Sequence, residues 1–189
     1  MLITKDVQLA KAAILSGGII AYPTEGVWGL GCDFTNLDAL ERLIKLKRRD
    51  PSKGLILLVN SFSLMASVST ISARKLSALI HARSGEVTGP VTWLIPANFD
   101  KLNPFILGGH NLVAVRLTTH PLARRLIKAL KRPLVSTSAN LAGGEPALTR
   151  DQLDPMLTKH LELILDGKTN NLAKPTPIFN LLTGEQVRA

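Results

Sequence analysis

The stretch AYPTEGVWGLGCD, residues 21–33, carries the pattern on which the fold prediction depends, because an apolar segment gives way there to hydroxyl and glycine residues. The overlapping run GIIAY (18–22) is typical of a short buried strand. We therefore expect this strand to lead into a glycine-rich loop that carries Thr24 and Glu25. Glycine also supplies the positive φ angles of tight turns, so a purely structural turn is the alternative interpretation.

Helix-like and strand-like patterns alternate outward from this stretch. Helices are predicted from Asp6 to about Ser16, over LDALERLIKLK after a capping Asn36, and over residues 121–131. The predicted strands cover residues 54–59, 91–97, 111–117, 133–140 and 161–166, with a C-terminal pair around Ile178 and Val187. Strands interleaved with helices predict an α/β fold, a single domain over residues 1–189 with helices flanking an open, twisted mixed sheet.

Polar clusters stand where several predicted strands end. They are Pro23-Thr24-Glu25, Arg116, and the run from Ser136 to Asn140. Ligands of open α/β sheets gather beyond strand ends, so these clusters are expected to share one pocket.

The charge balance indicates an anionic partner. The chain has 23 Lys and Arg against 14 Asp and Glu, a formal charge of +9. Residues 101–144 contain seven Lys or Arg and no acidic residue. RNA or a phosphate-rich small molecule would suit such a surface, and a merely solvated basic face is the alternative.

Several common classes are excluded by what the sequence lacks. Cys32 is the only cysteine, which rules out a disulfide framework and cysteine metal clusters. The four histidines have no metal-ligand spacing, and no P-loop, dinucleotide fingerprint or GxSxG elbow is present. No apolar run is long enough to span a bilayer, so a soluble cytoplasmic protein is expected.

Taken together, the motifs resemble those of the YrdC-like threonylcarbamoyl-AMP synthases, in the short single-domain form. The resemblance runs from about residue 8 to the C terminus. The motifs that carry it are AYPTEGVWGLGCD, Lys47-x-Arg49 followed by Lys53-Gly54, GPVT (89–92), Arg116 to Pro121, and STSAN (136–140) followed by Gly143.

The chain departs from the family pattern in two places. Val87-Thr88 stands where an aromatic-proline pair usually precedes GPVT. In the late segment Pro175 to Asn180, Thr176 keeps the expected hydroxyl but Asn180 replaces an acid. Longer relatives also have a histidine where this chain has Leu58, and a second domain.

The resemblance implies a concave basic pocket and a nucleotidyltransferase. The family joins L-threonine, bicarbonate and ATP into threonylcarbamoyl-AMP and releases pyrophosphate. A separate tRNA threonylcarbamoyl-transferase complex would use the product on the adenosine next to the anticodon. Mg²⁺ is expected on the triphosphate, held mainly by phosphates and water, with no dedicated catalytic residue and no protein metal ligand.

The resemblance also implies a set of binding residues. Those expected to bind ATP are Lys47, Arg49, Lys53, Ser138, Asn140 and Arg188. Those expected to bind threonine are Thr24, Arg116, Thr137 and Thr176. Whether Arg116 or Lys53 meets threonine rather than the triphosphate stays open, and Glu25 is expected either to orient Thr24 or to cap local backbone.

The basic pair Lys47 and Arg49 carries a more specific prediction. The two residues lie two apart where the second helix ends, so an extended segment would aim both at the triphosphate. Arg48 would then face away and serve as an internal control. The alternative is that all three basic residues only interact favourably with the helix dipole.

Two other functions compete with adenylate synthesis. One is an RNA-binding module without catalysis, against which the aromatic content of 4% argues, although weak tRNA binding remains compatible. The other is a carbamoyl-adenylating domain like the YrdC-like part of hydrogenase maturation carbamoyltransferases. Those proteins carry zinc-finger and acylphosphatase modules in the same chain, which this sequence lacks.

Overall fold

The computed structural model describes residues 1–85, 89–170, 172 and 176–188. These residues build one ten-stranded mixed sheet, in the order β1-β8-β2-β3-β7-β4-β6-β5-β9-β10. The strands are β1 (Leu2–Thr4), β2 (Ile20–Pro23), β3 (Trp28–Gly31), β4 (Ile56–Val59), β5 (Thr92–Pro96), β6 (Leu112–Leu117), β7 (Leu134–Ser138), β8 (Leu163–Leu165), β9 (Ile178–Asn180) and β10 (Gln186–Arg188).

Seven α-helices lie within the described part of the chain, and three short 3₁₀ turns accompany them. None of these helices is long and apolar enough to cross a membrane. The helices are α1 (Val7–Leu15), α2 (Leu37–Leu46), α3 (Phe62–Ala66), α4 (Ala73–Ser84), α5 (Pro104–Leu107), α6 (Pro121–Leu130) and α7 (Pro155–Thr158).

Helices cover the sheet on both faces, and the central strands show why. Along β2, Ile20 and Tyr22 pack with α1 and α6, whereas Ala21 belongs to the larger core formed with α2 to α5. In β4, Leu58 and Leu57 divide in the same way. Strands buried on both faces are continuously apolar, and this explains the runs at 18–22 and 54–59. The predicted α/β class with a mixed open sheet is confirmed.

The glycine-rich stretch is only partly the predicted loop, because residues 24–27 form a loop after β2 that carries Thr24 and Glu25 but the following residues do not. Residues 28–31 form β3, which pairs antiparallel with β2 in a hairpin. Gly31 is glycine because of close packing, since a Cβ there would stand 2.9 Å from Cε1 of Tyr22 and would overlap the Val135 carbonyl. The turn interpretation is also wrong for these glycines, because neither Gly29 nor Gly31 has a positive φ.

The end of α2 also differs from the prediction. Arg48 has a φ of 49°. The Arg48 and Arg49 N–H groups donate back to the carbonyls of Lys45 and Ile44, each at 3.0 Å. This is a Schellman ending with arginine in the position where glycine is usual. The extended segment expected over residues 47–49 is therefore wrong.

Some elements were missed, and some departures fall outside the described residues. The sequence prediction lacks β1, α3, α4, α5 and α7, most of which are only three to five residues long. Val87-Thr88 and Pro175 lie outside the residues that the structure describes.

Candidate substrate-binding site

A cavity of about 180 Å³ opens where the ends of β2, β6 and β7 meet the C-terminal hairpin. Three arginines line it together with hydroxyl groups, and no carboxylate belongs to its described lining. The expected threonine-binding residues all line this central cavity: Thr24, Arg116, Thr137 and Thr176.

Arg116 forms the floor of the central cavity from within β6. Its Nε donates to Thr92 Oγ1 at 3.0 Å, and that hydroxyl lies 3.1 Å from Thr176 Oγ1. Burial lowers the pKa of Arg116; Glu25 opposes this shift and Arg188 adds to it. The remaining guanidinium donors are free of any described ion pair and can therefore receive an anion.

A second groove, of about 300 Å³, adjoins the central cavity through Arg49 and Ser138. Its described lining is mostly basic and amide-bearing, as expected of a phosphate site. The lining residues are Lys47, Arg48, Arg49, Asp50, Lys53, Ser138, Asn140, Ala142 and Gly143.

Lys47 joins the end of α2 to the segment after β7, and both line this phosphate groove. Its Nζ donates to the carbonyl oxygen of Ser138 and, at 2.5 Å, to that of Asn140. Its own carbonyl accepts from the Ala142 N–H at 3.2 Å. Burial, and then the charge of Arg49, lowers the pKa of Lys47 to about 8. An ammonium has three donors, so one remains for a ligand.

Arg49 is positioned by backbone alone. Its Nε and Nη2 donate to the Gly54 carbonyl at 3.1 and 2.9 Å. Burial and the neighbouring Arg188 lower its pKa, while Asp50 opposes them. Arg48, expected to face away, is exposed but lines the same phosphate groove. It is therefore a weaker internal control than the sequence suggested.

A third, largely apolar groove of about 470 Å³ continues from Arg49 and Arg188. Aliphatic side chains from β4, β5, α5, β6 and the C-terminal hairpin dominate its lining. Arg49 is shared by all three cavities, so it stands at their junction.

Glu25 caps a distant backbone segment and does not orient Thr24. Its Oε1 accepts from Thr118 Oγ1 at 2.5 Å, from Thr119 N at 2.7 Å and from His120 N at 3.2 Å. Burial raises its pKa, but these hydrogen bonds outweigh burial and the net pKa is lowered. The Thr24 hydroxyl instead donates to the Val27 carbonyl at 2.7 Å.

Sequence reasoning assigned no ligand to two residues of the site, although Ser136 belongs to a polar cluster expected at the pocket. Ser136 lines the central cavity, and Thr92 joins Arg116 to Thr176. Both stand within quoted motifs, STSAN and GPVT, so their hydroxyls were visible. What the sequence did not show is the strand register that places Thr92 directly opposite Arg116.

The Asn180 departure is accommodated by local structure. Its Oδ1 accepts from the N–H groups of Leu182 and Thr183 at 3.0 and 3.3 Å. Asparagine and aspartate close such turns in the same way, because both offer a side-chain oxygen to backbone N–H groups two and three residues on.

Comparisons with known proteins identify the family of this chain. The Sua5/YciO/YrdC family model, described as "Telomere recombination", matches residues 12–189. A threonylcarbamoyl-AMP synthase of Stenotrophomonas maltophilia (strain K279a) is 44% identical over 184 residues, covering 95% of this chain and 96% of the relative. The threonylcarbamoyl-AMP synthase of Xanthomonas campestris pv. campestris (strain B100) is 40% identical over 188 residues, 98% of both.

A solved structure shows the same architecture. A double variant of P. abyssi Sua5 superposes with a TM-score of 0.86 at 25% identity, over 100% of this chain and 59% of that one. The family match over residues 12–189, with relatives at 40–44% identity along nearly their whole length, shows that the chain belongs to the Sua5/YciO/YrdC family.

Proposed function

We propose that this chain makes threonylcarbamoyl-AMP from L-threonine, bicarbonate and ATP, releasing pyrophosphate. The observation that carries the proposal is a set of cations around adjoining cavities that form no direct ion pair with a carboxylate of the described residues. These cations are Lys47, Arg49, Arg116 and Arg188. All three substrates are anionic or carry a carboxylate, and gathering them in one site requires positive charge that is already in place.

Threonine would occupy the central cavity. Arg116 is the buried cation available for its carboxylate, and the hydroxyls of Thr24, Thr137 and Thr176 surround the same space. Val27 adds an apolar wall. A site that pairs hydrogen-bonding groups with an apolar wall can distinguish threonine from simpler amino acids.

ATP would extend from the phosphate groove to the apolar groove. Lys47, Lys53, Ser138 and Asn140 would meet the β- and γ-phosphates, with the adenosine against the aliphatic side chains. The α-phosphate would then lie beside Arg49, where the three cavities join. This places the reacting phosphorus next to the threonine site.

The chemistry follows from this placement. The neutral threonine amine takes up CO₂ from bicarbonate to give a carbamate, and the amine proton leaves with the bicarbonate hydroxide as water. A carbamate oxygen then bonds to the α-phosphorus as the bond to the pyrophosphate oxygen breaks. A carboxylate-type nucleophile has no proton to lose, so positioning and charge neutralisation supply most of the rate enhancement.

Mg²⁺ would arrive as part of the MgATP substrate. Among the described residues there is no group of three His, Cys, Asp or Glu side chains that could hold a metal ion. The residues present therefore suit an ion held by phosphate oxygens and water, which is a common mode of Mg²⁺ binding. No step of the mechanism depends on a protein ligand to this ion.

The product would be passed on in the cytoplasm. We propose that a separate transferase complex moves the threonylcarbamoyl group to tRNA, which at most binds the basic surface weakly. Purified chain with unmodified tRNA should accordingly give little modified adenosine, and efficient modification by this chain alone would contradict that division of labour.

The decisive experiment is mass detection of the adenylate after incubation with ATP, threonine and bicarbonate. Omitting either threonine or bicarbonate should abolish pyrophosphate release. Serine should react several-fold less well, because one buried methyl group is worth about 1 kcal/mol. Unchanged ATP turnover without threonine would point instead to a carbamoyl-adenylating domain, and steeply salt-dependent RNA binding without turnover to an RNA-binding module.

A further inference from the structure

The C-terminal hairpin brings Arg188 to the central cavity, yet the sheet holds its last strand weakly. β9 pairs with β5, whereas β10 pairs with β9 alone and is the exposed edge of the sheet. The register of this pair is interrupted between Gln186 and Arg188. Because β10 has backbone hydrogen bonds to one neighbouring strand only, the position of Arg188 also depends on contacts elsewhere in the hairpin.

The loop at the tip of the hairpin supplies such contacts. Leu181 is fully buried in the larger core, and its N–H donates to the Leu94 carbonyl at 3.0 Å. The Gly184 N–H donates to the Asn180 carbonyl at 2.9 Å and closes the loop. The tip of the hairpin is thus an ordered turn, which can form defined contacts with another element.

Arg83, in the last turn of α4, contacts this turn although the two are far apart in sequence. Its Nη2 donates to the Leu182 carbonyl at 2.6 Å, a contact between residues 99 positions apart. The guanidinium lies directly against Gly184, where a Cβ would overlap Nη1 and stand 3.2 Å from Cζ. Gly184 also has a φ of +80°, so its lack of a side chain serves both the turn and the contact.

Arg188 lies at the other end of the hairpin, and its position depends on how the hairpin is held. Its Nη2 donates to the Thr176 carbonyl at 2.8 Å, and its side chain lines both the central cavity and the apolar groove. Arg83 is not among the described residues that line any of the three cavities. Any effect of Arg83 on ligand binding must therefore pass through the hairpin.

We propose that Arg83 is a positioning residue for ATP binding, which fixes the tip of the β9–β10 hairpin to α4 and thereby holds Arg188 at the site. The identity of the ligand as ATP rests on the proposed function. The anchoring of the hairpin rests on geometry alone.

The first test compares Arg83→Ala with the exposed, matched control Arg74→Ala on the same helix. Arg83→Ala should raise the KM for ATP about three- to tenfold, the size expected for the loss of one ordinary hydrogen bond. The KM for threonine and kcat should stay within about twofold. Arg74→Ala should change none of these, and Arg83→Lys should restore part of the affinity because it keeps one donor.

The second test asks whether Arg83 acts through Arg188. The variant Arg83→Ala/Arg188→Ala should bind ATP no more weakly than Arg188→Ala alone. Gly184→Ala should weaken ATP binding at least as much as Arg83→Ala, because the new Cβ displaces the guanidinium and also strains the turn at a φ of +80°. Additive effects of Arg83→Ala and Arg188→Ala would overturn the proposal, as would a lower melting temperature with an unchanged KM for ATP.

Hydrogen exchange without substrates separates this proposal from the proposed function. Amides of residues 178–188 should exchange faster in Arg83→Ala and in Gly184→Ala than in the wild type, and unchanged exchange would refute the anchor. If the wild type forms no adenylate, the proposed function fails, and this exchange measurement alone decides whether Arg83 anchors the hairpin.

Discussion

The cations that line the three cavities and the cation just before β7 differ in the groups that hold them. Arg132, just before β7, pairs with the buried carboxylate of Asp33 at 2.7 Å. Arg116 is more deeply buried, yet it rests on a threonine hydroxyl and has no described ion pair. Lys47 and Arg49 donate to backbone carbonyls in the same manner.

This difference separates charges that stabilise the fold from charges kept for a ligand. A carboxylate partner would neutralise a cation and leave little field for an anionic substrate. Carbonyls and hydroxyls orient the side chain without a direct ion pair, so most of its charge remains available to a ligand. Holding an unbalanced charge away from water costs stability, so such charges mark functional sites.

Replacing Arg116 should have the largest effect on activity. Arg116→Met keeps much of the side-chain volume but removes the charge-assisted contacts that we propose Arg116 makes to threonine. Losing contacts worth roughly 1.5–3 kcal/mol each should lower kcat/KM for threonine about 100-fold. Steady-state pyrophosphate release measures this loss, and a variant within about threefold of wild type would remove Arg116 from the site.

The counterpart variant, Arg132→Met, should do the reverse. It leaves Asp33 buried without its ion pair and should lower the free energy of unfolding by about 1–3 kcal/mol. Adenylate formation at 25 °C should change less than about twofold. Urea unfolding of Arg116→Met and Arg132→Met, measured together with their kinetics, tests the comparison. A large loss of activity in Arg132→Met would contradict the assignment of Arg132 to stability alone.

Replacing Arg49 and replacing Lys47 should have different effects on stability. Arg49→Ala should lower adenylate formation about tenfold or more while the melting temperature barely moves. Lys47→Ala should lower both, because Lys47 also ties the Ser138 and Asn140 carbonyls to the end of α2. Arg49→Lys should rescue poorly if the guanidinium binds phosphate with two donors. Thermal melts and adenylate yields that moved together in both variants would contradict this separation.

The pKa of Lys47 predicts a smaller, pH-dependent effect. Because its pKa is about 8 in the folded protein against an ordinary 10.5, the unfolded chain keeps a proton that the folded chain has lost. The contribution of Lys47 to stability should therefore rise between those two pH values, while affinity for ATP falls above pH 8. The difference between wild type and Lys47→Met, followed by thermal melts and ATP titration, isolates both trends. Parallel profiles for the two proteins would exclude them.

Arg48→Gly should have the smallest effect. Glycine adopts the positive φ of this helix end without strain, so the variant should gain about 1 kcal/mol of stability or less. Its adenylate formation should stay within about twofold of wild type. A tenfold loss would show that the exposed Arg48 also binds the triphosphate.

Much of the fold and most of the site residues could be predicted from sequence because their signals are local. The apolar runs of β2 and β4 and the capped helices α1 and α2 need no knowledge of tertiary contacts. The polar residues at strand ends converge because sheet topology brings those ends together. The assignment of each residue to ATP or to threonine stays a prediction.

The features that were missed depend on packing between distant residues. Trp28 to Gly31 looks like a loop by composition, but β2 and β7 on either side make it a strand. Thr92 gains its role only through register with Arg116. Arg83 and Gly184 show no common motif, and only the fold brings them into contact.

The most direct test of the central claim is the melting temperature of Arg116→Met with and without ATP and threonine. If Arg116 is a buried charge kept for an anionic substrate, the ligand-free variant should melt no lower than wild type. ATP should then raise the melting temperature of both proteins, whereas adding threonine should raise it further in wild type but not in the variant. A variant that melts well below wild type and still gains stability from threonine would contradict the account.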